Sequence, residues 1–174
     1  MSMPKAATLL VIRHAEKSGD RHDVGLTPAG MARAQAYVAY FQNLASGASR
    51  LPPPAWLIAA ADARDSRRSR LTLEPLAAAL GLDIDARLAD TAYRALAERL
   101  HTDPRYDHAT ILICWTHKKL RGLAKALGAP DTLLPDKWPD EVFDWLLRFD
   151  YDVTGALTAA SLIPQRLMYG DSDD

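Results

Sequence analysis

Three short runs interrupt the chain's mixed pattern with unbroken apolar character: Thr8 to Ile12, Trp56 to Ala60 and Thr110 to Trp115. None alternates apolar with polar residues, as a half-exposed strand would. Continuous runs of this length predict strands covered on both faces. Between them the pattern changes to a helical period. The stretch LTPAGMARAQAYVAYFQNL opens with Thr27 as an N-cap and Pro28 at the first helical position. Its apolar residues Met31, Ala34, Val38 and Phe41 fall on one helical face. A second helix is predicted over Arg68 to Leu80, closed by Gly81, with Pro75 placed to kink or split it. A third is predicted from about Thr91 to Leu100, and a fourth from His117 towards Gly128, its natural stop. Strand and helix alternation predicts a single α/β domain over residues 1–174, a three-layer α/β/α sandwich around a mainly parallel sheet. The tail segments VFDWLLRFDYD and ALTAASLIPQRLMYG read as antiparallel edge strands. The spacers SGASRLPPP and APDTLLPDKWPD are too short to divide the chain, and no internal repeat is present.

Composition narrows the class without naming a function. Hydrophobic residues make up 48% and charged residues 25% of 174, enough to bury a core and wrong for a disordered chain. A formal net charge of −1 gives no global attraction for nucleic acid or an anionic membrane, so any anion site has to be local. The one cysteine, Cys114, lies inside an apolar run and reads as an inert buried thiol, compatible with a reducing compartment. No apolar run reaches the roughly 18 residues of a membrane-spanning helix, and the apolar stretch near Met1 is too short for a secretory signal. A cytoplasmic location is expected.

The chemistry gathers at the strand ends. The first run passes straight into Arg13-His14 and the last into Thr116-His117; the middle run is followed by the basic loop ADARDSRRSR. In a parallel sheet, all three ends open on one rim, where ligands of such folds sit. His117 also opens a helix, whose free N–H groups and dipole favour an anion. Imidazoles and guanidiniums therefore converge from three strands.

With those residues in view, the chain resembles the histidine phosphatase superfamily, which includes cofactor-dependent phosphoglycerate mutases and many small phosphatases. The resemblance runs from RHAEK through GLTPAG and RRSRLTLEPLAAALGL to ICWTHKKL. It implies His14 as phosphorylated nucleophile, Arg13 as its phosphate-binding neighbour, and His117 as a further phosphate ligand. The second phosphate arginine stands four residues before a helical threonine in the family; with Thr72 in that place, it is Arg68. The general acid implied is a carboxylate some two dozen residues further on, for which Asp90 is the nearest match.

Those residue types suit the chemistry. A neutral imidazole can attack phosphorus and carry the phosphoryl group, dividing one difficult step into two. The equatorial oxygens need charge stabilisation, which bidentate guanidiniums supply better than lysines. The cations leave no need for a metal or other cofactor. Several readings stay open at this level. Arg70 replaces Arg68 if the register slips by two. Asp90 is either the acid or a helix N-cap, with Glu16 as the alternative acid. Lys118 and Lys119 either recruit a second anionic group or face solvent. Arg64, Arg67, His22, His101 and His108 read as surface residues, and Trp115 and Trp138 as core or pocket border. The expected activity is a metal-independent phosphatase acting on a phosphomonoester or phosphohistidine, with a small phosphorylated substrate or phosphoprotein as partner. The alternatives are a mutase-type phosphotransferase and a non-catalytic phosphate- or phosphoprotein-binding module.

Overall fold

The computed structural model of the protein describes residues 3–47 and 49–171. Met1 and Ser2, and Ala48 of the first expected spacer, lie outside the described residues. Six strands form one sheet in the order β3-β2-β4-β1-β5-β6: β1 Thr8–Arg13, β2 Trp56–Ala59, β3 Ile84–Asp85, β4 Thr110–Trp115, β5 Trp145–Tyr151 and β6 Leu157–Pro164. Strands β3, β2, β4 and β1 pair in parallel, and β5 runs against both β1 and β6. The four helices are α1 Pro28–Gln42, α2 Arg68–Leu80, α3 Tyr93–Thr102 and α4 His117–Ala126.

The apolar runs of β1 and β4 are buried at every position because helices cover both faces. Side chains alternate between the two cores, as the pleat requires. Leu9, Val11, Ile111 and Ile113 pack with Leu96, Leu100, Leu120 and Leu123 of α3 and α4. Leu10, Ile12, Leu112 and Cys114 pack on the other face with Tyr37, Phe41, Leu73 and Leu76 of α1 and α2. This is the expected three-layer sandwich. Strand β1 lies at its centre, held in register from Thr8↔Thr110 on one side and Thr8↔Asp150 on the other.

Four details differ from the sequence pattern. Strand β5 is interior, between β1 and β6, so of the two tail strands β6 alone is an edge. The opposite edge is β3, too short to carry a periodic signal. Helix α2 is not split: Pro75 sits within it, and Gly81 closes it in the left-handed region at φ 66°. The buried face of α1 is Gly30, Arg33, Ala34, Tyr37 and Phe41, while Met31 is 55% exposed. That face is rotated because it carries a buried cation. Arg33 donates to both carboxylate oxygens of Glu16 and to Asp171 at 2.6–3.1 Å. Burial works against the Arg33 charge, but its bonds to Asp171 and Glu16 outweigh that and raise its pKa above the ordinary value.

The start of α1 fixes the loop that follows β1. Thr27 caps the helix by accepting from the Gly30 N–H, and its own N–H donates to the Glu16 carbonyl at 3.0 Å. Gly30 lies so close to this loop that an added Cβ would stand 2.6 Å from the Glu16 carbonyl oxygen and 3.0 Å from its nitrogen. Both are backbone atoms and cannot swing away. Gly30→Ala is therefore expected to cost about 1–3 kcal/mol of stability and to impair any activity that depends on the loop. Denaturant unfolding and kcat/KM, measured on the same preparation, check both effects.

Candidate active site

His14 is the first residue beyond β1 and is 3% exposed. Its backbone N–H still donates to the Trp115 carbonyl of β4, which fixes where the side chain leaves the sheet. The Nδ1 atom lies 2.8 Å from the Ala15 carbonyl oxygen. A carbonyl only accepts, so Nδ1 carries the proton and Nε2 keeps its lone pair. Burial, assisted by the charges of Arg13 and Arg68 and by His117, lowers the pKa of His14 to about 3, against the opposing Ala15 bond. The imidazole is neutral at physiological pH.

Thr72 ties this corner to α2. Its hydroxyl accepts from the Ala15 N–H at 2.9 Å and donates to the Arg68 carbonyl at 2.8 Å. The arginine four residues before the threonine is thus joined to the residue after His14 through one side chain. Arg68 Nη1 donates to the Asp23 carbonyl and Nη2 to that of Asp65, while Nε is buried with no partner. Arg70, the alternative, has its guanidinium taken by the carboxylates of Asp62 and Glu74. Of the two, Arg68 lines the cavity that His14 opens into.

Arg13 is fully buried. Its Nη1 donates to the carbonyls of Pro139, Asp140 and Val142 at 2.8–3.2 Å, and its guanidinium lies 3.8 Å over the Phe143 ring. The Nε and Nη2 atoms are buried without partners. Burial lowers its pKa to about 10, which leaves it charged at neutral pH. Buried guanidinium nitrogens left unpaired on both Arg13 and Arg68 are costly unless an acceptor completes them, and a phosphate supplies oxygens of the right kind. Nothing in the sequence signalled the dual engagement of Arg13, because the carbonyls it holds lie more than 120 residues away.

His117 stands at the start of α4, its ring centroid 6.3 Å from that of His14 and nearly perpendicular to it. Burial first, then the charges of Arg13 and Lys17, lowers its pKa to about 4; Asp140, 3.5 Å from Nε2, acts in the opposite sense. Thr116 does not cap α4, because its hydroxyl donates to Asp90 Oδ2 at 2.8 Å. Asp90 caps neither its own 3₁₀ turn nor α3. Its carbonyl accepts from Trp115 Nε1, and its carboxylate is turned to the pocket side of Thr116. The N-cap reading of Asp90 is therefore replaced by a placement at the cavity.

His14, Arg68, Asp90, Thr116 and His117 line one cavity of about 300 Å³, with Arg13 buried behind it. Glu16, the alternative acid, is absent from the lining, since Arg33 occupies both of its oxygens. Lys118 lines the cavity and Lys119 does not; Lys17, three residues past His14, lines it as well. Trp115 is wholly buried, while Trp138 borders a neighbouring cavity. His22 and His108 are exposed and His101 is half-buried. Among the described residues no group of three or more His, Cys, Asp or Glu side chains is placed to hold a metal ion, and no helix is long and apolar enough to cross a membrane.

This six-stranded sheet with helices on both faces has the phosphoglycerate mutase-like fold. The likeness to solved structures is one of fold across nearly the whole chain. The Agrobacterium tumefaciens protein assigned as phosphohistidine phosphatase SixA matches at TM-score 0.55 and 20% identity, over 89% of this chain and 97% of that one. Mycobacterial glucosyl-3-phosphoglycerate phosphatase with inorganic phosphate matches at 0.57 and 13%, over 90% and 95%. Phosphoglycerate mutase from Plasmodium falciparum matches at 0.57 and 12%, over 97% and 98%. No protein-family model matches the chain, and no curated protein matches it in sequence.

Proposed function

We propose that the protein is a metal-independent phosphatase that hydrolyses a phosphomonoester or phosphohistidine through a phosphohistidine on His14. The observation that carries this reading is the state of His14: a neutral imidazole with Nδ1–H committed to a carbonyl, in a cavity flanked by guanidiniums with unpaired nitrogens. In the first step, the Nε2 lone pair attacks phosphorus while the ester P–O bond breaks. Arg13, Arg68 and His117 bind the equatorial oxygens. The leaving oxygen takes a proton from the Asp90 carboxyl group. In the second step, water attacks the phosphoryl group, Asp90 takes back a proton, and the P–N bond breaks to release inorganic phosphate and free His14.

Hydrolysis is favoured over mutase transfer by the open rim. Lys17, Asp62, Ala63, Asp65 and Lys118 line the cavity and are exposed, so water has access to the intermediate. A module that only binds phosphate is a poorer account, because binding is served by the arginines and needs no neutral nucleophile between them.

The test is release of inorganic phosphate from p-nitrophenyl phosphate and from an alkyl phosphate, with EDTA present throughout. Turnover of both by the wild type is expected; none with either ester would overturn the reading. Asp90→Asn should slow the alkyl ester about 100-fold or more, while p-nitrophenol, a good leaving group, needs little protonation and should be largely spared. Equal slowing of the two esters would remove Asp90 from the acid role.

A further inference from the structure

Beside the His14 cavity lies a second one of about 500 Å³, and the two share Lys17, His117 and Lys118 as common wall. The rest of its lining is Arg121, Asp136, Lys137, Trp138 and Asp140. The cations outnumber the carboxylates by four to two, and the balance is uneven in space. Lys137 is paired with Asp140 at 3.3 Å, and Arg121 faces Asp136 at 3.4 Å while donating to the Leu134 and Pro135 carbonyls. Lys17 and Lys118 have neither an ion pair nor a hydrogen bond among the described residues. These are the two cations that stand between the cavities.

Their positions are unfavourable in the free protein. Lys118 is in the first turn of α4, a helix with no acidic residue there, and the macrodipole disfavours a cation at that end. Lys17 lies close enough to Arg68, Arg13 and Lys118 that partial burial and these like charges lower its pKa. The two lysines line the adjoining space as well as the His14 cavity, and that space, bordered by the buried Trp138, is large enough for the remainder of a substrate.

We infer that Lys17 and Lys118 form a second anion subsite, so that the preferred substrate carries, besides the phosphate handled at His14, a further carboxylate or phosphate seated in the adjoining cavity. This rests on the phosphatase reading for the role of the first anion, and it narrows the substrate to a phosphorylated acid, a bisphosphate, or a phosphorylated side chain with an acidic neighbour. All three present the same chemistry. Lys119, next in sequence but lining neither cavity, takes no part.

The subsite is tested without turnover by titrating a chain-length series of alkylphosphonates, with and without a terminal carboxylate, into the wild type and three variants. At the best length the carboxylate should tighten binding about tenfold, the effect of two partly exposed charge pairs, and the gain should shrink as salt is raised. In Lys17→Met/Lys118→Met the gain should fall to about twofold or less, with each single variant in between. Lys119→Met should keep the wild-type gain. Absence of any gain in the wild type, or a gain that survives in the double variant, overturns the inference. The source of the second anion is read by kinetics, comparing 3-phosphoglycerate with a phosphopeptide bearing flanking glutamates. Loss of preference for either one in the double variant supports the subsite, and loss for neither overturns it. Failure of the phosphatase reading is a separate result: the wild type would then not turn over p-nitrophenyl phosphate, whatever the phosphonates do.

Discussion

Replacing His14 by alanine is expected to lower turnover by at least about 10,000-fold, the scale of removing a covalent nucleophile from an otherwise intact site. The acid-labile phosphate trapped on the wild type during reaction should be missing from the variant. Retention of wild-type activity would refute the central assignment. The same variant carries a second signature, in stability. In the folded protein burial holds His14 and His117 neutral, with pKa values lowered to about 3 and about 4. In the unfolded chain both take a proton below about pH 6.5. Stability is thus full above that pH and falls as the solution is acidified towards the folded values. His14 accounts for about 2 kcal/mol of the loss by pH 5. His14→Ala should therefore show a shallower decline of stability between neutral and mildly acidic pH, which denaturant titrations at several pH values measure.

Arg68→Ala is expected to reduce kcat/KM by about 100- to 1,000-fold, whereas Arg70→Ala should change it only a few-fold. The two stand two positions apart in sequence but differ greatly in engagement. Arg68 lines the cavity with a buried, unpartnered Nε, and its backbone is tied through Thr72 to the residue after His14. Arg70 is absent from that lining and spends its guanidinium on Asp62 at the exposed rim and on Glu74. Steady-state kinetics on both variants decide the matter, and the reverse ranking would move the phosphate arginine to position 70.

The central strands were legible because burial on both faces leaves an unbroken apolar run, and the placement of His14 and His117 followed once the strands were taken as parallel. The register in RRSR was legible only through Thr72, whose hydroxyl turns out to be the physical link to the β1 corner. Other features depend on partners that local sequence does not reveal. The face of α1 was misjudged because periodicity treats Arg33 as a surface residue, while Glu16 and Asp171 allow it to be buried. Asp90 had two readings until the Thr116 hydroxyl, 26 positions away, drew its carboxylate to the cavity. The edge strand β3 is two residues long and leaves no period to detect. The place of Lys17 between two cavities comes from the meeting of the β1 and α4 ends, which no local pattern around RHAEK encodes.

The central position of β1 also sets a timetable for synthesis. The strand that ends at Arg13, just before His14, is made before the other five, yet its neighbours are β4 and β5, paired as Thr8↔Thr110 and Thr8↔Asp150. At ribosomal speed, on the order of ten seconds pass after β1 is made before both neighbours have been translated. For most of that time the apolar strand has neither sheet neighbour, when an emerging chain is most open to chaperones and to misassociation. The carbonyls of Pro139, Asp140 and Val142 that hold Arg13 come from just before β5. A nascent chain halted before that segment contains both histidines and Arg68, but lacks the clamp on Arg13 and one wall of the sheet. The pocket around His14 is therefore assembled only after the segment preceding β5 has left the ribosome.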